Sequence, residues 1–436
     1  MQALALDERD VSFLRPIGYQ AEDCGYCKDA PSGRRTKQSR ACYYALSKKL
    51  TVDDYQELVD RGWRRSGTTL YKPDVRRHCC PHYTIRLPAS SFKATRDQRQ
   101  AVNRWNKYVL GEDYIKEAAK KYPKTKEEKA RQKNGFDLLS TIHEAESTVI
   151  KSPPEPAHKF EVTLEPDSFS KEKYLLFKNY QINVHHEKPS EVTEKGFKRF
   201  LCDSPLQRTT RRLLEGSEEQ PLGSYHQCYR LDGRLIAMGV LDLLPHCVSG
   251  VYFVYHSDFE QWSFGKLSAL REAALALEAG YKYYYMGYYI HDCVKMRYKG
   301  HYKPQHVLDP ETYEWVPLDG EFASLLDQKS YVSLAQKKGL KKETPEAEAE
   351  KLDEDADPFP LPLPADAAAA VAAGTSLFDL KVPGLMTEEE IAETVDLDKI
   401  SLQVQRRIIP MGVCTPSSST ASPLAQKKEL IRVVVS

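Results

Sequence analysis

Two short stretches carry the residue types best suited to chemistry. Residues 23–29 read "DCGYCKD", which sets Cys24 and Cys27 at C-x-x-C spacing. Residues 76–87 read "RRHCCPHYTIRL", which places Cys79 and Cys80 side by side between His78 and His82. Four thiolates closing on one point form a soft, closed donor set that suits zinc, and an iron–sulfur cluster would use the same thiolates. The C-x-x-C turn supplies two ligands, with Gly25 permitting the tight bend, and the second pair arrives from far along the chain. Neighbouring side chains of an extended strand point to opposite faces. Cys79 and Cys80 can therefore both ligate only if the backbone bends there, as the following Pro81 allows; otherwise His78 or His82 completes a Cys₃His set. Cys42, in "RACYYAL", reads as core. The plainer alternative is four buried apolar thiols with no metal.

The elements that must hold these residues divide the chain into four regions. Residues 1–90 contain five of the ten cysteines and short strand-like runs such as Thr84 to Leu87, and form a Cys-cluster domain. Residues 91–155 are charged and helix-prone; Val102, Trp105, Val109 and Leu110 recur at helical spacing, so this helix packs on something, whereas the Lys/Glu stretch after it reads as a solvated insertion. Residues 156–335 alternate strands, turns and helices as an α+β domain does. Residues 336–436 turn acidic and then Pro/Ala-rich ("EDADPFPLPLPADAAAAVAAG"); this tail reads as a linker unable to build a core, with a short helix starting at Thr387 and spanning about 387–395. The formal charge of +1 leaves no global pull toward nucleic acid, so any basic face is local. The start lacks a basic and apolar leader, and no run approaches the roughly 18–20 apolar residues that span a bilayer. A soluble intracellular protein with no membrane partner is expected. Its thiols would stay reduced, which favours ligation over disulfides.

Both cysteine segments closely resemble the N-terminal domain of arginyl-tRNA–protein transferases. The resemblance continues through "QRQAVNRWNKYVLG", "YLLFKNYQINVHHE", "GFKRFLCDSPL", "GRLIAMGVLDLLPHCVSGVYFVY", "WSFGKLSALREA" and "YYYMGYYIHDCVKMRYKGHYKP", covering roughly residues 10–110 and 160–310. It implies a Cys cluster holding zinc or an iron–sulfur cluster and a GNAT-like acyltransferase core. It also implies transfer of arginine from arginyl-tRNA to proteins beginning with Asp, Glu or oxidised Cys, as an N-degron mark, with the cytosol and nucleus as compartments. The partners implied are the tRNA acceptor stem and a protein or peptide with an acidic N-terminus.

The core supports a donor site on its own residues. A buried strand, Val251 to Tyr255, leads through a loop to Ser263, an expected N-cap, and to a helix with Leu267, Leu270, Ala274 and Leu277 on one face. Gly280 ends that helix, and a second aromatic strand runs from Tyr281 to Ile290. Strand–loop–helix–strand is how GNAT folds seat a donor at a helix N-terminus. Gly265 stands alone where a coenzyme A site wants several glycines, so no CoA is expected.

The chemistry is then aminolysis of an ester. The acceptor amine, with a pKa of about 7.7–8.0, needs no strong base. One carboxylate to take its proton and donors for the oxyanion suffice. Asp258 is chosen as that carboxylate, against an ordinary turn aspartate. Asp242, in the apolar "GVLDLLP", is assigned to the arginyl guanidinium, against a structural hydrogen bond. Tyr180, as a second catalytic residue, and His185, as a substrate contact, are pocket candidates, each against an ordinary core role. Lys198 and Arg199 lie beside Phe197 and Phe200, a mix that suits phosphate or a terminal base. Lys295, Arg297 and Lys299 share one side of an extended chain and would bind the acceptor carboxylate or the tRNA phosphates. Two other classes compete: a CoA-dependent N-acetyltransferase with a zinc domain, and a non-enzymatic zinc- or RNA-binding adaptor.

Overall fold

Strand β5 (Tyr83–Pro88), six residues from the cysteine-rich region 1–90, is stitched into the larger sheet built by the later region. The computed structural model describes residues 12–27, 33, 35–127, 130, 135–213, 219–337, 363–377, 379–385, 401–404 and 407–410, the last two ranges as backbone only. Strands β1 (Phe13–Glu22), β2 (Arg40–Lys49), β3 (Arg64–Ser66) and β4 (Thr69–His78) form an antiparallel sheet in the order β1-β2-β4-β3. The larger sheet contains β5, β6 (Phe160–Pro166), β7 (Thr209–Arg212), β8 (Glu219–Leu231), β9 (Arg234–Leu244), β10 (Cys247–Tyr255), β11 (Tyr283–Tyr285), β12 (Tyr288–Tyr289), β13 (His306–Leu308) and β14 (Trp315–Pro317). Its order is β14-β13-β5-β11-β10-β9-β8-β6, with β12 on β5 and β7 on β8. The helices of nine residues or more are α1 (Val52–Asp60), α2 (Arg96–Leu110), α3 (Glu112–Lys121), α4 (Lys171–Asn183), α5 (Phe264–Glu278), α6 (Gly320–Gln328) and α7 (Pro364–Ala372).

Local chemistry explains these elements. β9, "RLIAMGVLDLL", is buried along nearly its whole length, as a central strand covered on both faces must be. The two-residue turn into it is Asp232–Gly233, both with positive φ (51° and 81°), the pairing that closes a hairpin with the strand twist. α2 starts at a Thr95–Gln98 capping box and buries Val102, Trp105, Val109 and Leu110, as their spacing predicts. Trp105 packs 5.0 Å from Phe264 and 5.2 Å from Phe160, which joins α2 to α5 and β6. α5 is the crossover between β10 and β11, the parallel pair of the large sheet. It ends where Gly280 takes φ 73°.

Five expectations need correction. Ser263 occupies the N-cap position of α5 but has a left-handed backbone (φ 57°) and makes no capping bond, because a 3₁₀ turn, Ser257–Trp262, runs directly into the helix. The strand expected from Tyr281 to Ile290 is two short strands, interrupted at Met286–Gly287 where Gly287 takes φ 74°. The run Val251 to Tyr255 is not a buried strand: within it only Val254 is fully buried, and the other four side chains stay partly exposed beyond the irregularity at Gly250. Lys295, Arg297 and Lys299 do not share an extended face, since residues 294–297 are α-helical and 298–301 form a 3₁₀ turn. The Pro/Ala-rich tail does contribute to a core: α7 packs on β1 and β2 with Ala367 fully buried and Leu377 at 3% exposure. Alanine's small side chain lets α7 lie close to the sheet, which composition alone hides. The helix expected at Thr387 lies outside the described residues.

Candidate active site and metal centre

The chain leaves the small sheet at the end of β4, bends at Cys79–Cys80 and enters the large sheet at β5. That bend resolves the adjacency problem. The sulfurs of Cys24, Cys27, Cys79 and Cys80 all lie within 4.8 Å of one another, and those of Cys27 and Cys79 are 3.4 Å apart. Four sulfurs tetrahedrally placed at about 2.3 Å from one ion would be about 3.8 Å apart, so the donor set fits. Backbone amides of Tyr26 and Cys27 point at the Cys24 sulfur (3.4 and 3.5 Å), and the Cys79 sulfur and Ser39 hydroxyl are hydrogen-bonded at 3.2 Å. Hydrogen bonding from Cys80, Ser39 and the other thiols holds the Cys79 thiol down to about 5, and its thiolate in turn pushes Cys80 up. His78 and His82 are buried beside the centre, their rings 4.3 Å apart, but belong to no ligand set. His82 instead uses Nδ1 on the Cys80 carbonyl at 2.6 Å. Cys42 is buried core in β2, as expected.

The centre has a neighbour that sequence reasoning missed. Cys24 and Cys80 pack against the fully buried Ile290, with Cys293 and Met296 completing the contact. The segment 290–301 is thereby anchored to the cysteines, and it approaches two further elements. These are the end of α4, with Tyr180 and the nearby His185, and β10, with Tyr252 and Tyr255. The Tyr180 ring lies 4.8 Å from His185, 5.0 Å from Tyr255 and 6.4 Å from Tyr252; Phe200 closes on Tyr252 at 5.0 Å. From segment 290–301, Tyr298 comes within electrostatic reach of Tyr180, and Lys295 within reach of His185. Burial first, then Lys295, pull the His185 imidazole below its ordinary value. Val294 is 87% exposed. Tyr180, His185 and Lys295 are thus brought together, with Lys198 and Arg199 exposed on the segment that leads to Phe200.

The remaining candidates have partners of their own. Asp242 does hold a guanidinium, but that of Arg65, which donates to both carboxylate oxygens at 2.7 and 2.6 Å; Ser224 donates to the second at 2.7 Å. Acid and base are both fully desolvated, so this is an internal ion pair that ties β3 to β9, and no oxygen faces a ligand. Asp258 is 57% exposed and bridged to Arg234 at 3.0 Å. Arg297 is engaged with Asp327 and His291. The Lys198 ammonium stands 4.1 Å over the Phe169 ring. The Lys299 ammonium is folded inward onto the Tyr288 carbonyl at 2.9 Å. A Cβ at Gly67 (φ 59°) would come within 2.0 Å of the Arg199 carbonyl oxygen, so the β3–β4 turn requires glycine to pass this segment.

Tyr252 and Tyr255 were visible as an aromatic run but read as core, because the irregularity in β10 between Gly250 and Tyr252 cannot be seen in sequence. Among the described residues no helix is long and apolar enough to cross a membrane.

Comparison with known proteins adds independent findings. Residues 22–100 match the family profile "Arginine-tRNA-protein transferase, N terminus", and residues 172–309 match its C-terminus counterpart. Arginyl-tRNA–protein transferase 2 of Arabidopsis thaliana is 30% identical, covering 74% of this chain and 78% of that protein. Arginyl-tRNA–protein transferase 1 of Saccharomyces cerevisiae is 35% identical over 62% of this chain and 51% of its own length. Aspartate/glutamate leucyltransferase of Pseudomonas fluorescens is 26% identical, with 71% of this chain covering 99% of that protein. A DUF2156 domain from Agrobacterium fabrum overlaps 57% of the chain at 12% identity with a TM-score of 0.27, too low to bear on the fold.

Proposed function

Taking as premise that this chain belongs to the arginine-tRNA-protein transferase family and transfers arginine from arginyl-tRNA to proteins, we propose that the reaction runs in the cleft between α4, β10 and segment 290–301, on acceptors that begin with Asp or Glu. The observation that carries this is the convergence of Tyr180, Tyr252, Tyr255 and Tyr298 from three elements around one opening, with His185 and Lys295 at its rim. Aromatic faces suit the terminal base of an acceptor stem, because every base has a π-face to stack. A lysine beside an imidazole suits a carboxylate, or the sulfur acid of an oxidised cysteine. The acidic acceptor is further supported by the Pseudomonas relative, whose name specifies aspartate and glutamate and whose whole length aligns here. The core is a GNAT-like acyltransferase fold on this reading, supported by the β10–α5–β11 unit, whose parallel strands pair from Cys247 to Ser249 and then part.

The chemistry asked of the cleft is modest. The acceptor's α-amine attacks the ester carbonyl that joins arginine to the tRNA ribose. Holding the two in attack geometry supplies much of the acceleration. The half-buried tyrosines exclude water, which would otherwise hydrolyse the ester. The four cysteines would hold one ion, such as zinc. Their mutual spacing supports a single centre, because a multinuclear cluster spreads its thiolates over several irons. A closed four-thiolate set leaves no open coordination position, so its role would be to fasten segment 290–301 in place.

The test is transfer of radiolabelled arginine to peptides differing only in a first residue of Asp, Glu or Ala. Labelling of Asp and Glu peptides that is abolished by ribonuclease is the expected result. Equal labelling of the Ala peptide would reject the acidic specificity. Elemental analysis, with the visible absorption that iron–sulfur clusters show and zinc lacks, decides the metal.

A further inference from the structure

Glu272, in the middle of α5, is an acid that the reaction as described does not use. It lies in an Ala/Leu-rich helix and is 4% exposed, yet its carboxylate presses against the large sheet. Ideal Cβ atoms at Gly239 of β9 and Gly250 of β10 would stand 3.5 and 3.0 Å from its two oxygens. A side chain at Gly239 would make ordinary contact with the carboxylate, whereas one at Gly250 would press on it. Gly250 is also where the β9–β10 register slips, one residue past Ser249, where the pairing of β10 with β11 ends. The carboxylate therefore sits beside the point where the β10–β11 pairing ends.

The other elements around the carboxylate turn ionisable groups toward it. Tyr284 of β11 lies within electrostatic reach of the carboxylate, and so do Lys299, Tyr298 and Tyr302 from segment 290–302. Tyr229 faces it from β8, with Arg271 on α5 itself occupied by Glu146. Among the described residues the buried Tyr302 hydroxyl has no hydrogen-bond partner. Tyr298, 36% exposed, is the member that also borders Tyr180 in the cleft.

We propose that Glu272 is a positioning residue that holds the proton of the aminolysis, reached from the cleft through Tyr298 and steadied by Lys299. This rests on the cleft being the reaction site. As the amine nitrogen bonds to the arginyl carbonyl carbon, the nitrogen sheds a proton, which Glu272 takes through the Tyr298 hydroxyl. The ester C–O bond then breaks, and an equivalent proton returns to the ribose oxygen, so no co-reactant is consumed. Burial pushes Glu272 up to about 7, and burial pulls Lys299 down to about 8, both near the pKa of an α-amine.

Turnover against pH, with arginyl-tRNA and an Asp-initiated peptide at saturation, tests the assignment. Glu272→Gln is expected to lower kcat on the order of 100-fold and to erase the limb near pH 7, with arginyl-tRNA affinity within about twofold of wild type. Glu272→Asp, which restores a carboxylate, recovers part of the rate. An unchanged kcat and limb in Glu272→Gln would overturn the proposal. If that variant does not fold, Tyr284→Phe serves instead: it removes a hydroxyl whose proximity favours the carboxylate, so the limb should move to higher pH, and an unmoved limb overturns the proposal. A wild-type enzyme that transfers arginine while both variants match it sinks this inference alone; a wild type that transfers none sinks the functional reading first.

Discussion

The cysteine centre and the aromatic cleft share segment 290–301 as a common wall but are built on opposite plans. The centre is a closed set: four like ligands from two stretches, fixed by a C-x-x-C turn and one backbone bend. The cleft is open, assembled from a helix end, an irregular strand and a helical turn, and its side chains are half-buried or exposed. A closed soft-ligand site must be complete to work, so its residues announce themselves by type and spacing. A cleft needs only surfaces that face one another, and the residues that do so come from any element that happens to pass.

The contrast is most exposed to test at the cysteines. Replacing Cys24 and Cys27 by serine should abolish metal binding and lower the unfolding temperature by on the order of 10 °C or more, since metal binding is coupled to folding. Elemental analysis and thermal unfolding read both, and a double variant that keeps its metal would break the comparison at its stronger end. Next in size is Arg65→Met, which strands Asp242 as a buried unpaired charge and should cost about 3–5 kcal/mol in chemical denaturation. Activity per folded molecule should persist; were arginine binding lost instead, Asp242 would belong to the cleft after all.

Tyr252→Ala should do the reverse. Its ring is half-buried, so stability changes little, while arginyl-tRNA affinity falls tenfold to a hundredfold, about 1–3 kcal/mol for a lost stacking face. Filter binding measures this, and undiminished affinity would remove the base-stacking role from β10. Glu272 offers a pH test of the same contrast. Folded, it keeps its proton up to about 7, whereas the unfolded chain releases it near the ordinary value of 4.5. Between these values the native state binds more protons, so stability falls as pH rises through the window, and the contribution is gone above about 7. Glu272→Gln should flatten that decline and unfold at a higher temperature than wild type at pH 8; a decline that persists would place the proton elsewhere. The smallest effect belongs to Asp258→Ala, which breaks an exposed bridge and should change stability by no more than about 0.5 kcal/mol, with turnover intact. A collapse in turnover there, with tRNA binding unchanged, would return the carboxylate role to Asp258.

Particular residues mark how far the sequence could be read. The four ligands, the buried face of α2 and the course of α5 to Gly280 were legible because each rests on contacts within a few residues or on a donor set with strict spacing. Asp242 was rightly singled out as a charge in an apolar run, but its partner lies 177 residues away in β3, and no local pattern names it. Lys295, Arg297 and Lys299 were misread because a strand and a helical turn of so few residues differ little in local preference. The docking of α7 was missed because a run of alanines looks like a spacer until a flat sheet is found beneath it. Glu272 left one trace, an acid among alanines and leucines, and that trace acquires meaning only with Gly239 and Gly250 across from it.

By itself the sequence determined the four cysteines that could hold a metal, the helices with a clear apolar face and the family resemblance, all of which depend on residue identity at short range. Tertiary structure alone decided that β5 crosses between the sheets, that β10 slips at Gly250 and that segment 290–301 leans on the cysteines. The reason is that pairing register and side-chain facing are settled by competition among distant surfaces for burial, and that competition has no counterpart in the linear order of residues.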